Sequence, residues 1–280
     1  MHARDEVRAP CKIAVITLSN EGARLAARLA ERFAPCDLFV HTAVTDCPQA
    51  TRFERIVELS REIFAAYEGL VYVAPTGVVV RAIARLVEHK TIDPAVVVVD
   101  VGGRWAVSLL SGHEGGANRL AIAVANALDA EPVVSTTTEA VKDLIVGVGC
   151  RRGTPCDAIV AAVGQALAMA GGQLGRVRLL ASADLKGDEP GLLAAAEAMG
   201  LPLRLIGSEE IRQTVYAFGR SEFVQEKVDL PAVAEPAALL AGRRTRLILP
   251  KQTFPGITVA IAREDCTSLG SGPADASTAR

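Results

Sequence analysis

The segment Leu109-Leu-Ser-Gly-His-Glu-Gly-Gly-Ala-Asn118 constrains this chain more than any other. Its Ser, His, Glu, Asn and three glycines cannot fill a hydrophobic core, so most of it has to be a loop. It lies between an apolar, strand-like stretch, Trp105–Leu110, and an amphipathic helical stretch, Ala117–Leu128. A strand-loop-helix junction turns backbone N–H groups outward, and the helix N-terminus adds partial positive charge. In α/β proteins ligands collect at such junctions. The first expectation is therefore a site for an anionic ligand.

The rest of the chain repeats the same alternation. Residues 11–18 read as a strand, and Ser19 and Asn20 can cap a helix over 21–33. A short strand at 37–41 precedes a helix over 52–67, in which Phe53, Ile56, Val57, Ile63 and Phe64 follow the helical period. A buried strand at 70–74 ends at Pro75-Thr76-Gly77, and a helix follows over 78–88. The pattern then changes. Two apolar runs, 95–101 and 104–110, flank Gly102-Gly103 and read as a β-hairpin. A short strand at 132–135 closes this half. The sheet is thus expected to be mixed and mainly parallel.

A second unit begins near Asp143. It has a strand at 144–149, a helix opened by Thr154 as N-cap and Pro155 as first residue, and a strand at 176–182. A helix at 191–199, a strand at 202–206, a helix at 235–241 and late strands at 247–249 and 257–262 follow. The expected fold is α/β: two small α/β units with mainly parallel mixed sheets, at 11–140 and 143–263. Residues 264–280, rich in Ser, Gly and Ala, are expected to be a disordered tail.

Composition removes several classes of function. The 30 basic and 32 acidic residues leave a formal net charge of −2, without the basic surplus of a general nucleic-acid binder. No apolar run reaches the ~18–20 residues needed to cross a bilayer. Residues 1–10 have no apolar segment of a secretory signal. The six cysteines form no CxxC and no cluster with metal spacing, so no metal site is expected. The expectation is a cytoplasmic protein that binds neither nucleic acid nor membrane. Whether it forms a homo-oligomer is left open.

Several side chains could carry chemistry. His113 titrates near neutral pH and sits among glycines, so it and Glu114 are the acid/base candidates; the competing reading is a loop histidine bonding backbone. Ser111 and Asn118 can orient a polar ligand or cap the helix. Arg81 and Arg85 are four apart and fall on one helix face, which suits a carboxylate or phosphate; most such pairs are solvated surface. Lys90 precedes the hairpin in Lys90-Thr-Ile-Asp-Pro94, where Asp93 before Pro94 is a common turn device. Thr136 and Thr137 offer hydroxyls at a strand end, or simply bond backbone there. Gly147-Val-Gly-Cys-Arg-Arg-Gly153 follows a strand and precedes a helix, the setting of an anion loop, with Arg151 and Arg152 beside it. It is not a dinucleotide fingerprint, because its third glycine comes one place late and no acidic residue ends the next strand. Walker and GxSxG patterns are absent.

Together these pieces resemble the cobalt-precorrin-5A hydrolases of cobalamin biosynthesis, the CbiG family. The resemblance rests on Gly77-Val-Val-Val-Arg-Ala-Ile-Ala-Arg85, on Lys90 through Asp100, on Ser108 through Asn118 and on Pro132 through Thr138. In the second half it rests on Val146 through Thr154, Ser182-Ala-Asp-Leu-Lys186, Asp188-Glu189, Val233 through Ala238 and Thr258 through Ala262. Family members often carry a middle segment, whereas here Thr138 leads almost directly to Asp143, as in a short form. The resemblance implies opening of a δ-lactone on a cobalt-containing, ring-contracting tetrapyrrole and loss of two carbons as acetaldehyde. It implies no organic cofactor, since the cobalt arrives within the substrate. A polycarboxylate ring calls for scattered cations, and Arg81, Arg85, Lys90, Arg151, Arg152, Lys186 and Glu189 are taken as substrate contacts with Ser111, Asn118, Thr136 and Thr137. Neighbouring enzymes of the pathway are the implied partners. Two competing readings are a non-catalytic corrinoid carrier and, ranking below it, a nucleotide- or sugar-phosphate-binding enzyme.

Overall fold

The computed structural model describes residues 13–218 and 233–265. Of the tail expected at 264–280, Glu264 instead ends the last strand and its carboxylate accepts from Arg243 N–H, and residues 266–280 lie outside the described residues. The chain divides into two compact units, one ending at Thr136 and the other starting at Thr137. Each is an α/β layer structure around its own mixed, mainly parallel sheet.

The first unit contains β1 (Ile13–Thr17), α1 (Asn20–Arg32), β2 (Cys36–His41), β3 (Thr51–Phe53), α2 (Ile56–Ile63), β4 (Gly69–Val73), α3 (Thr76–Ile83), β5 (Ala95–Val99), β6 (Trp105–Leu110), α4 (Ala117–Leu128) and β7 (Glu131–Val133). The sheet order is β3-β2-β1-β4-β5-β6-β7. Strands β1 to β5 run parallel, and β6 pairs antiparallel with β5 as the expected hairpin. Successive side chains alternate faces, as a strand requires. Val15, Val71, Val73, Val97 and Val99 meet Ala26 and Leu29 of α1 and Ala121, Val124 and Leu128 of α4. Ala14, Ile16, Leu70, Tyr72, Val96 and Val98 meet Leu59 and Ile63 of α2 and Val79 and Ile83 of α3. Both faces are covered, which is why these strands read as continuous apolar runs. At the hairpin turn the Asp100 carboxylate accepts from the N–H groups of Gly102 (3.1 Å), Arg104 (2.8 Å) and Trp105 (2.8 Å).

The second unit contains α5 (Thr137–Ala140), β8 (Leu144–Cys150), α6 (Cys156–Met169), β9 (Val177–Ala183), α7 (Pro190–Ala198), β10 (Leu203–Ile206), α8 (Ser208–Phe218), α9 (Ala234–Leu240), β11 (Thr245–Phe254) and β12 (Ile257–Glu264). Its order is β10-β9-β8-β12-β11, with β8, β9 and β10 parallel and β12 antiparallel to β8. Helices α6 and α7 pack on Val146, Val148 and Leu180, while Ile211 of α8 and Ala237 and Ala238 of α9 pack on Ile145, Leu179 and Ala181.

Four local expectations are corrected. The helix expected over 52–67 is two elements: Thr51–Phe53 pairs with β2, and the helix runs only from Ile56 to Ile63. Phe53 is buried as a strand residue, so its helical spacing from Ile56 is coincidental. The helix expected over 78–88 is Thr76–Ile83, which leaves Arg85 in the turn beyond it. Thr154 does not cap α6; Pro155 holds the N-cap position and the Thr154 hydroxyl donates to the Arg151 carbonyl (2.7 Å). Finally, the Gly147–Gly153 stretch does not follow a strand but begins inside one: Gly147 and Gly149 lie within β8, as the strand expected at 144–149 has them, with Ala234 of α9 over Gly147 and Thr258 of β12 beside Gly149.

That last point sets a strict packing requirement. A Cβ on Gly147 would stand 1.8 Å from the Ala234 carbonyl oxygen and 2.9 Å from Ala238 Cβ. The obstacle is main chain and cannot rotate away. Gly147→Ala is expected to destabilise the protein by about 3 kcal/mol, the upper end of overpacking costs. Denaturant unfolding checks it; an unchanged midpoint would show that α9 slides freely on β8.

Candidate functional site

The reversal of β6 decides where the sequence-predicted groups of the first unit lie. Leu110 pairs with Val96 and Ala106 with Val99, so the carboxyl end of β6 stands beside the amino end of β5. Strand β7 runs parallel to β6 and ends at the same edge. Ser111 through Gly116, Asn118 and Thr136 therefore gather there, together with the Lys90–Asp93 loop that enters β5. Helix α3 starts at the other edge, at the carboxyl end of β4. Its N-terminus and the His113 loop do not form one anion site.

The loop is tightly determined. Ala117 N–H donates to the Ser111 carbonyl (3.1 Å) and Asn118 N–H to the Gly112 carbonyl (2.9 Å). Two of the first N–H groups of α4 are thus satisfied by the loop itself and are not offered to a ligand. A Cβ on Gly112 would stand 2.5 Å from Thr136 Cγ2, and one on Gly115 would stand 2.4 Å from Ser111 Cβ. Both glycines are required by contacts inside the protein. Gly116 differs: it takes φ +86° with open space around it.

Ser111 is buried and also has a left-handed backbone, φ +57°. Its hydroxyl is enclosed and has no hydrogen-bond partner among the described residues. A group so placed does not reach a ligand directly in this conformation, so Ser111 is not positioned as the substrate contact that the sequence suggested. His113 and Glu114 are exposed. Glu114 forms an ion pair with Lys90 (2.5 Å), and this bond, with its own backbone N–H and nearby His113, holds its carboxyl below the usual range. Lys90 does meet an anion, but it is the protein's own.

Asn118 is buried, and both ends of its amide are used. Ser108 Oγ donates to Asn118 Oδ1 (2.8 Å), and Asn118 Nδ2 donates to Thr136 Oγ1 (2.9 Å). It orients neighbours rather than a ligand. Ser108 was missed by sequence reading, though it is the one polar residue inside an apolar strand. Thr136 is half-buried, and Thr137 is exposed at the start of α5. Asp93 accepts from Glu88 N–H (3.0 and 3.3 Å), which is the turn role. Arg81 folds back onto its own helix, donating to the Gly77 carbonyl (2.8 Å).

In the second unit the carboxyl ends of β8 and β9 bring another group together. Arg151 is exposed and its N–H is fixed to the Gly256 carbonyl (2.9 Å). Arg152 pairs with Asp188 at 3.6 Å, with both side chains in solvent. Glu189 is buried, and its carboxylate accepts from Gly153 N–H (2.8 Å), tying the loop after β8 to the start of α7. Lys186 is half-buried. Burial pushes the thiol of neighbouring Cys150 up, against the pull of Lys186. No group of three or more His, Cys, Asp or Glu able to hold a metal ion occurs among the described residues. No described helix is long and apolar enough to cross a membrane.

Each of the two α/β units thus carries polar and cationic side chains at its strand ends. Residues 58–139 match the family model described as cobalamin synthesis G N-terminal, and residues 144–262 match the one described as cobalamin synthesis G C-terminus. The chain belongs to the CbiG family. It is 25% identical to the cobalt-precorrin-5A hydrolase of Salmonella typhimurium over an alignment of 323 positions, covering 82% of this chain and 92% of that one. It is 36% identical to the cobalt-precorrin-5A hydrolase of Priestia megaterium over 138 residues, 48% of this chain and 37% of that one. It is 37% identical to protein CobE of Sinorhizobium sp over 128 residues, 45% of this chain and 83% of that one.

Two outcomes follow from the loop. Ser111→Gly relieves the left-handed strain and removes an unsatisfied hydroxyl, so it is expected to raise Tm by about 2–4 °C. Calorimetry that finds a lower Tm would mean the hydroxyl is satisfied in solution. Glu114, held below its ordinary pKa, contributes its ion pair fully above the ordinary carboxylate range and loses it as pH falls through the depressed value. In a carbon-detected NMR titration, Lys90→Met is expected to move the Glu114 midpoint upward; an unmoved midpoint would show that the pair does not persist in water.

Proposed function

We propose that this protein is a cobalt-precorrin-5A hydrolase, which opens the δ-lactone of its substrate and releases acetaldehyde to leave cobalt-precorrin-5B. The observation that carries this is the presence of both family halves together with similarity spanning 92% of a relative bearing that name. Cobalt belongs to the substrate, and the chain's own residues supply binding and proton transfer.

In this reading His113 removes a proton from the water that adds to the lactone carbonyl. The ring C–O bond breaks and gives a carboxylate and a hydroxyl. Deprotonation of that hydroxyl lets its carbon become the aldehyde carbonyl. The C–C bond to the macrocycle then breaks, and the macrocycle keeps the electron pair. Glu114, paired with Lys90 and charged, steadies the imidazolium rather than storing a proton. Arg81, Arg85, Arg151, Arg152 and Lys186 are the cationic candidates for peripheral carboxylates, with Thr137 as a polar contact; Glu189, buried and bound to Gly153 N–H, is not one. Partners, on this reading, are the enzymes that make and consume the two precorrins.

A non-catalytic corrinoid carrier is the second reading, favoured by the similarity to the shorter protein CobE. Anaerobic incubation with cobalt-precorrin-5A separates the two. The hydrolase releases one acetaldehyde per substrate, over many turnovers, with nothing added; tight binding without acetaldehyde is the carrier result. His113→Ala is expected to slow single-turnover release by ~10²–10⁴-fold, the usual contribution of a general acid or base, with Glu114→Gln losing less. Wild-type rates in His113→Ala would remove the histidine from the chemistry. Arg81→Ala and Arg151→Ala should each weaken substrate binding by about 1–3 kcal/mol, and less in high salt.

A further inference from the structure

Three side chains of the first unit form a hydrogen-bond chain with a fixed sense. The Ser108 hydroxyl donates to Asn118 Oδ1, which assigns the other end of the amide as the donor. Asn118 Nδ2 then donates to Thr136 Oγ1. Thr136 Oγ1 is an acceptor in this chain, so its own proton is directed away from Asn118. Asn118 is buried and its backbone N–H is held by the Gly112 carbonyl, so the amide is fixed in place between the two hydroxyls. Thr136 is held too: its methyl group packs where a Cβ on Gly112 would be. It is half-buried and stands at the same sheet edge as the His113 loop.

We propose that Thr136 is a directed hydrogen-bond donor to an oxygen of the substrate that carries negative charge, and that Ser108 and Asn118 are positioning residues that set the direction of its proton. The inference rests on the hydrolase reading for the identity of the ligand and deepens it. Each bond in such a chain polarises the next, so the terminal hydroxyl is a better donor than an isolated threonine. Two substrate oxygens fit: a peripheral carboxylate, or the lactone carbonyl oxygen as water adds to it. The Ser111 hydroxyl is enclosed, so it is not this donor.

The test uses the full chain and four variants, Thr136→Val, Thr136→Ser, Ser108→Ala and Asn118→Ala. Thermal unfolding of each is recorded first. Binding of cobalt-precorrin-5A and of cobalt-precorrin-5B is then followed by visible absorption, beside single-turnover acetaldehyde release. Thr136→Val is expected to lose about ten- to a hundredfold, the range for a bond to a charged acceptor, and Thr136→Ser to restore most of it. Ser108→Ala removes no contact with substrate, yet it is expected to lose part of the same effect. If both corrinoids bind more weakly while release from the bound state is unchanged, the acceptor is a carboxylate. If affinity holds and release slows, the acceptor is the lactone oxygen. Unchanged binding and release in folded Thr136→Val overturns the inference while leaving the hydrolase reading intact. A Thr136→Ser variant as poor as Thr136→Val overturns it as well, since the loss is then packing. Should Thr136→Val fail to fold, wild-type binding and release in Ser108→Ala overturns the inference in its place. Wild-type protein that binds neither corrinoid removes both readings.

Discussion

The antiparallel pairing of β6 with β5 is the constraint on which the first unit depends. Up to β5 the chain is a parallel, doubly covered sheet, and everything after a strand would fall at one edge. The Asp100 turn reverses the direction. It does so with three N–H groups bound to one carboxylate, which keep that carboxyl low although burial works the other way. From there the chain makes a second βαβ passage, β6-α4-β7, pointed the other way. The polar loop, the Asn118 chain and Thr136 are all products of that passage. Without the reversal they would stand beside the N-terminus of α3.

The loop shows how residue types that look like ligand chemistry can be consumed by the fold. Glycines at 112 and 115 are there because Thr136 and Ser111 occupy the space a side chain would need. The first turn of α4 is closed by carbonyls of its own loop. What remains exposed in the loop is His113, and Glu114 with its Lys90 partner. The second unit repeats the theme, with Glu189 buried to bind Gly153 N–H.

Much of this was legible in the sequence, and the failures have physical causes. Fully buried strands such as Leu70-Val-Tyr-Val73 and Ala95-Val-Val-Val-Val99 are continuous apolar runs and cannot be mistaken for amphipathic helix. The hairpin was legible because two glycines separate two such runs. Phe53 misled because one residue spaced three before Ile56 satisfies the helical period whether or not it is helical. The Gly147–Gly153 stretch misled as an anion loop because glycine has two uses, turning a loop and admitting a neighbour, and sequence alone does not separate them. The family was legible from motif order. The internal use of Asn118 and the enclosure of Ser111 were not, because they depend on β7 lying beside β6.

The glycines of β8 have a further consequence. Helix α9 reaches that strand with its main chain, the Ala234 carbonyl standing where a side chain would be. A contact made by backbone is indifferent to which small residue α9 carries but not to any atom added to β8. In a saturating substitution scan Gly147 would then be closed to every side chain, while Ala237 and Ala238 of α9, which pack by side chain, would refuse only larger ones. Such lopsided tolerance marks main-chain docking, and it separates glycines kept for room from glycines kept for a ligand.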